Sequence, residues 1–227
     1  MAEQDLPTAP HLLAITPPDA ARTPAVARRW AEGLREGLAQ ATGSGPATRV
    51  RVAIQVRDKQ ADDPQTSGLL DELRRQCPSI PVVLNGPPAR AKRLGFDGFH
   101  LPAEGQEAIE RQGRDEPLLL AGQSSHSIDE ARQGASTGAD YLVFGPVYDT
   151  PAKRRFGSPQ GLTRLGEVCR AVAIPVLAIG GLDSSRIVDC WRAGAAGIAA
   201  IRSAGEATEV ARMVSTLQDL MDGTIPG

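Results

Sequence analysis

The segment Gly122-Gln123-Ser124-Ser125-His126-Ser127 gathers the residue types best suited to proton transfer in this chain. An imidazole titrates near neutral pH and can take and return a proton, and neighbouring hydroxyls can pass one on. With three histidines in the whole chain, one flanked by serines stands out. The other two, His11 and His100, sit at the edges of apolar runs. His100 reads either as a substrate contact or as a satisfied core histidine. Phe144-Gly145-Pro146-Val147-Tyr148-Asp149-Thr150 forms a second polar segment. Both segments begin where a hydrophobic run ends, so both are expected at the carboxyl end of a strand.

Two further stretches suit anions. Gln55, Arg57 and Lys59 alternate with Val50, Val52, Ile54 and Val56, so the polar set shares one face of a strand and its extension. Cations converging there would neutralise a phosphate or carboxylate. Solvated side chains balanced by Asp58 and Asp62 are the plain alternative. Ile179-Gly180-Gly181-Leu182-Asp183-Ser184-Ser185 puts two glycines between a buried run and a helix start, where backbone amides can approach a phosphate closely. Ile201 and Arg202, at the end of the next run, would supply the other half of that site. The alternative is a tight turn with no ligand. Lys153-Arg154-Arg155 reads as a basic loop, either a charged lid or simply solvated.

The elements that position these groups alternate along the chain. Strands are expected at 12–16, 50–56, 80–84, 98–101, 117–121, 141–144, 175–179 and 197–201. Helices fall between them, near 24–40, 64–76, 88–94, 106–112, from 127, 162–173, from 184 and 206–221. Thr23-Pro24 opens the first helix, and Ser127 with Glu130 has capping-box spacing. Eight strand–helix units with continuous apolar strands imply an α/β fold, a single (β/α)8 TIM barrel over 11–222 behind a disordered tail at 1–10. A doubly wound sheet lacks its fingerprint, since no GxGxxG follows the first strand. In a barrel the chemistry collects at the strand carboxyl ends: Thr16, Gln55, Arg57, Lys59, Asn85, His100, Ser124, His126, Thr150, Lys153, Gly180, Gly181, Ile201 and Arg202.

Composition removes several function classes. The 227 residues carry a net charge of −2 and 4% aromatics, which gives no basis for nucleic acid or an anionic membrane as partner. Three cysteines without a CxxC argue against a disulfide scaffold or a thiolate zinc site and favour a reducing, cytoplasmic compartment. No signal-peptide pattern and no apolar run approaching the ~20 residues of a membrane span is visible.

Taken in order, Gln55-Val56-Arg57-Asp58-Lys59, Asn85, Asp97-Gly98-Phe99-His100-Leu101, Ser124-Ser125-His126-Ser127, Gly138-Ala139-Asp140-Tyr141, Gly145 through Lys153, Ala178-Ile179-Gly180-Gly181 and Ala193 through Gly197 resemble the thiamine phosphate synthase/TenI superfamily. The resemblance covers nearly the whole chain and implies a single barrel. It implies substrate contacts from Gln55, Arg57, Lys59, Asn85, His100, Ser124, Thr150 and Lys153, and phosphate contacts from Gly180, Gly181, Ile201 and Arg202. The family has two main activities. Its synthases join a pyrimidine pyrophosphate to a thiazole phosphate and hold Mg²⁺ with two aspartates. Here Gly86 and Gly105 stand where those aspartates would, and Ala152 replaces the second threonine of the usual Thr-x-Thr-Lys. The TenI-like branch isomerises a thiazole phosphate carboxylate with a histidine base and no metal, and Leu101-Pro102 matches that branch. The resulting expectation is a thiazole tautomerase, an isomerase with His126 as catalytic base. Its partner is a thiazole phosphate, with no metal or other cofactor, and a homodimer is left open. Mg²⁺ enters only under the synthase alternative, and a thiazole-phosphate-binding barrel without turnover is the third reading.

Overall fold

The apolar runs become eight parallel strands: β1 (Leu12–Ile15), β2 (Val52–Val56), β3 (Val82–Asn85), β4 (Gly98–Leu101), β5 (Leu120–Ser125), β6 (Tyr141–Phe144), β7 (Val176–Ile179) and β8 (Gly197–Ala200). They close into one barrel in chain order, with β8 paired back to β1. The computed structural model describes residues 9–42, 48–103, 120–150 and 158–226. Among these, the helices are α1 (Pro24–Thr42), α2 (Asp63–Gln76), α3 (Pro88–Leu94), α4 (Ile128–Ser136), α5 (Gly161–Ala171), α6 (Ile187–Arg192) and α7 (Ala207–Met221). The helix expected at 106–112 and the tail expected at 1–10, up to residue 8, lie outside the described residues.

The strands are largely apolar because each buries both faces, with polar residues gathering toward their carboxyl ends. Leu13, Ile15, Ala53, Val83, Tyr141, Val143, Leu177 and Ala199 fill the barrel interior. The opposite parity, including Leu12, Ile54, Val82, Phe99, Leu142, Phe144 and Ile198, packs outward against Trp30, Leu34, Leu73, Leu165, Val210 and Leu217 of the helices. The β2 alternation therefore holds as read: Ala53 and Gln55 point inward, and Ile54 and Val56 point outward.

The amino ends of the strands are tied by short polar bridges. Asp97 accepts from the Val82 N–H at 2.8 Å and Asp140 from the Ala121 N–H at 2.8 Å, so each aspartate before a strand anchors the strand beside it. His11 belongs to this closed end: its Nδ1 accepts from the Arg51 N–H at 3.0 Å. Burial, with Arg51 and Arg49 nearby, pushes its pKa down to about 4. Its edge position therefore serves the barrel floor.

Helix starts are encoded locally. Asp62 and Gln65 form a reciprocal capping box at α2, each side chain meeting the other's backbone N–H. At α4, Ser127 accepts from the Glu130 N–H, but the Glu130 carboxylate takes the N–H of His126, one residue earlier than the box spacing predicts. No helix among the described residues is long and apolar enough to cross a membrane. Cys77, Cys169 and Cys190 are free thiols.

Candidate active site

The carboxyl end of β2 presents two cations. Arg57 is half-buried, and its backbone N–H is held by Thr16 Oγ1 at 3.1 Å. Lys59 is exposed. The balancing carboxylates are engaged elsewhere: Asp58 receives Arg22 Nε at 3.0 and 3.1 Å, and Asp62 caps α2. Among the described residues neither cation has an ion-pair partner, so both can meet an anionic ligand. Gln55 lies below them in the interior, 2% exposed.

His100 stands inside the barrel, 2% exposed, with both ring nitrogens occupied. Nε2 meets Ser124 Oγ at 3.0 Å and Nδ1 meets Tyr141 Oη at 3.3 Å. Burial, reinforced by the charge of Arg57, lowers its pKa to about 3 and keeps it neutral. Gly122 makes this cluster fit, because a Cβ there would penetrate the Tyr141 ring and His100 Nδ1. The run from Gly122 to Ser125 is thus part of β5, which extends through Ser125 where a strand ending at 121 was expected. Gly122 and Ser124 face inward; Ser125 turns outward, fully buried, and its hydroxyl has no partner among the described residues.

His126 is exposed just beyond β5, with Nδ1 2.6 Å from the Gly145 carbonyl oxygen. A carbonyl only accepts, so Nδ1–H is the donor and Nε2 faces away from the tether. His126 thereby ties the start of the β6–α5 loop to the end of β5.

Gly180 and Gly181 adopt φ of +103° and +64° after β7. Ile179 lies opposite Ala199 in the β7–β8 register, so the glycine turn runs beside Ile201 and Arg202. The amides of Gly180, Gly181, Ile201 and Arg202 donate to no acceptor among the described residues. Unspent N–H groups at two adjacent strand ends are donors of the kind that can hold an anion. The turn is clamped from outside: Tyr148 N–H donates to the Gly180 carbonyl at 3.1 Å, and Arg186 donates to the Gly181 carbonyl. Arg186 also lies 4.6 Å over the Tyr148 ring. Thr150 is half-buried within the β6–α5 connection, and Lys153 lies outside the described residues.

Asn85 closes β3 and donates to the His100 carbonyl at 3.3 Å. Packing does not demand the glycine after it, since a Cβ on Gly86 would meet only Leu84 side-chain atoms at 3.6 and 3.7 Å. The described residues hold no group of three His, Cys, Asp or Glu that could take a metal ion. Position 105 lies outside them. The donor set on view does not fit a two-carboxylate Mg²⁺ site.

The model of the thiamine monophosphate synthase family matches residues 27–204. The chain belongs to that family. A thiamine-phosphate synthase from Chloroflexus aurantiacus is 33% identical over 75% of this chain and 80% of its own length. One from Methanocella arvoryzae is 31% identical over 84% and 91%. A relative from Geobacter sulfurreducens reaches 39% identity over about half of each chain, 49% and 52%. Among solved structures, thiamine phosphate pyrophosphorylase from Pyrococcus furiosus superposes with a TM-score of 0.68 at 26% identity, covering 94% of this chain and 96% of that one.

These matches overturn the tautomerase expectation and the isomerase class with it. Relatives alike over three quarters or more of the chain carry the synthase name. The expectation gave two ligand positions more weight than the remainder of the site. A missing carboxylate reports one interaction; it does not report what the other groups still do. Sequence reasoning also missed Tyr141 and Arg186. In the sequence Tyr141 enters only as the first residue of a strand and within one family-like segment, and Arg186 is not singled out at all.

Proposed function

We propose that this barrel catalyses the synthase reaction of its family, replacing the pyrophosphate of a pyrimidine partner with a thiazole phosphate. The carbon–oxygen bond to pyrophosphate breaks as the new carbon–nitrogen bond forms, and pyrophosphate leaves with the bonding pair. The observation that carries this reading is the likeness to thiamine-phosphate synthases over most of the chain. The geometry supports it with two anion-receiving features, Arg57 and Lys59 beyond β2 and the four amides beyond β7 and β8. In this reading the amides hold the thiazole phosphate, while Gln55, Asn85, Ser124 and Thr150 line the space between. Arg57, Lys59 and Lys153 meet the charge that develops on pyrophosphate. The Mg²⁺ that the family resemblance implies finds no fitting described residues, and no step here depends on it. Free thiols and the absence of a basic charge excess support a cytoplasmic setting with small-molecule partners. Every group invoked comes from one chain, whether or not two copies associate.

The direct test supplies both substrates and follows pyrophosphate release together with the joined product. Product formation by the wild type is expected, and its absence under saturating substrates would sink the reading. Arg57→Ala should lower kcat/KM by roughly 100-fold, mostly through KM for the pyrophosphate substrate, as charge-assisted hydrogen bonds are lost. Lys59→Ala, on a more exposed side chain, should cost roughly 10-fold.

A displacement by an aromatic ring nitrogen releases no proton from that nitrogen, so His126 is not needed as a base. Its role here is the tether to Gly145. His126→Asn, which can keep an N–H near the Nδ1 position, should hold activity within about 3-fold, whereas His126→Ala should lose roughly 10-fold. Equal, severe losses in both variants would instead put Nε2 in the chemistry.

A further inference from the structure

We propose that Tyr141 is a positioning residue whose hydroxyl fixes the tautomer of His100, turning the Ser124 O–H toward the barrel mouth as a donor to substrate. The last step rests on the synthase reading; the tautomer itself does not.

The inference follows from counting protons along three groups. A neutral imidazole has one N–H and one lone pair. The single described partner of Tyr141 Oη is His100 Nδ1, and that of Ser124 Oγ is His100 Nε2. Two arrangements satisfy both contacts. In the first, Tyr141 donates to Nδ1, Nε2–H donates to Ser124, and the serine proton remains free. In the second, Ser124 donates to Nε2, Nδ1–H donates to Tyr141, and the phenol proton remains free.

Burial separates them. Tyr141 is 0% exposed and packs into the apolar barrel interior, so a free phenol proton there has no acceptor among the described residues. Ser124 is half-buried at the open end, where solvent or substrate can receive its proton. An unmet buried donor should disfavour the second arrangement by roughly 10-fold or more. The phenol stays protonated, because burial raises its pKa well above the ordinary tyrosine range. Depression of the His100 pKa to about 3 keeps the ring neutral, so the count holds at neutral pH. Gly122 is the structural provision for the relay, since any side chain there would occupy the space of both rings.

The chemical consequence is directional. Ser124 offers a donor, so the substrate atom opposite it must be an acceptor: a ring nitrogen or an anionic oxygen, not an amino group.

The test uses the full-length protein labelled with 15N-histidine, whose three imidazoles are few enough to assign by single substitutions. The expected wild-type spectrum has His100 as the Nε2–H tautomer. In Tyr141→Phe the bias disappears and both tautomers are populated. The competent fraction then falls from about nine-tenths to about half, a roughly 2-fold loss in kcat/KM. Ser124→Ala removes the donor and should cost about 10-fold, and adding Tyr141→Phe to it should cost nothing further. A wild-type His100 in the Nδ1–H form overturns the proposal, as does an unchanged tautomer in Tyr141→Phe. If the wild type does not turn over at all, the synthase reading fails, and the spectra still decide the role of Tyr141.

Discussion

Gly180→Ala is expected to abolish phosphate-dependent turnover, by about 100-fold or more, and to cost roughly 3 kcal/mol of stability through strain and overpacking. The residue sits at φ +103°, a conformation that a Cβ strongly disfavours. That Cβ would also lie 2.6 Å from Pro146 Cα and Cβ. Pro146 cannot retreat cheaply, because its neighbours are fastened on both sides. Val147 N–H donates to the Ile179 carbonyl at 2.8 Å, and the Pro146 carbonyl accepts from Gln160 N–H at 2.7 Å. Relief must therefore come from the turn, which moves the amides of Gly180 and Gly181 away from those of Ile201 and Arg202. Gly86→Ala is the matched control: it has no left-handed φ and its nearest contacts are at 3.6 Å, so it should stay within about 0.5 kcal/mol of the parent. Urea unfolding and titration with inorganic phosphate measure the two effects separately. A Gly180→Ala protein that binds phosphate as the parent does would remove the amides from the site.

Much of this arrangement is written in local pattern. The alternation of Val52, Ile54 and Val56 with Ala53 and Gln55 is enough to aim Gln55 at the barrel interior, because a strand has period two and both faces of a barrel strand are buried. β4 and β6 match their expected bounds, since Asp97 and Asp140 mark the starts of the apolar runs and also anchor the neighbouring strands. β5 is the instructive exception. Gly122, Gln123, Ser124 and Ser125 look like loop by composition, yet they continue the strand. The glycine is there because His100 and Tyr141 need its space, which is a contact between residues distant in sequence. The Arg186 clamp is hidden for the same reason: its meaning comes from the Gly181 carbonyl and the Tyr148 ring, which only the closed barrel brings to it. The choice of reaction was less legible still. Gly86 marks one missing carboxylate, while the cations beyond β2 and the unspent amides beyond β7 and β8 are distributed over three strand ends and carry no single signature.

Mild acid is expected to destabilise the fold by about 4 kcal/mol between pH 7.5 and 5, through two histidines that burial holds neutral. Histidines of the unfolded chain titrate near 6.5, whereas His11 titrates at about 4 and His100 at about 3 in the fold. Between those values the unfolded state binds more protons. Stability is therefore fully present above pH 6.5 and drains away as pH falls toward the folded pKa, by about 2 kcal/mol per histidine down to pH 5. Paired carboxylates push in the same direction but in a lower window. Asp63, held down by hydrogen bonds from Arg90 and Arg93, and Glu72, held down by Arg75, lose their contribution only as pH drops below their ordinary values of 3.8 and 4.5. The interval from 7.5 to 5 thus isolates the imidazoles. His11→Asn keeps an acceptor for the Arg51 N–H and removes one titration, so it should halve the acid slope while leaving stability at pH 8 within about 1 kcal/mol of the parent. Urea-unfolding free energies that stay flat from pH 7.5 to 5 would mean that both rings accept protons in the native barrel. The native pKa values would then lie near 6.5, and the Tyr141–His100–Ser124 chain would hold its neutral imidazole only above that pH.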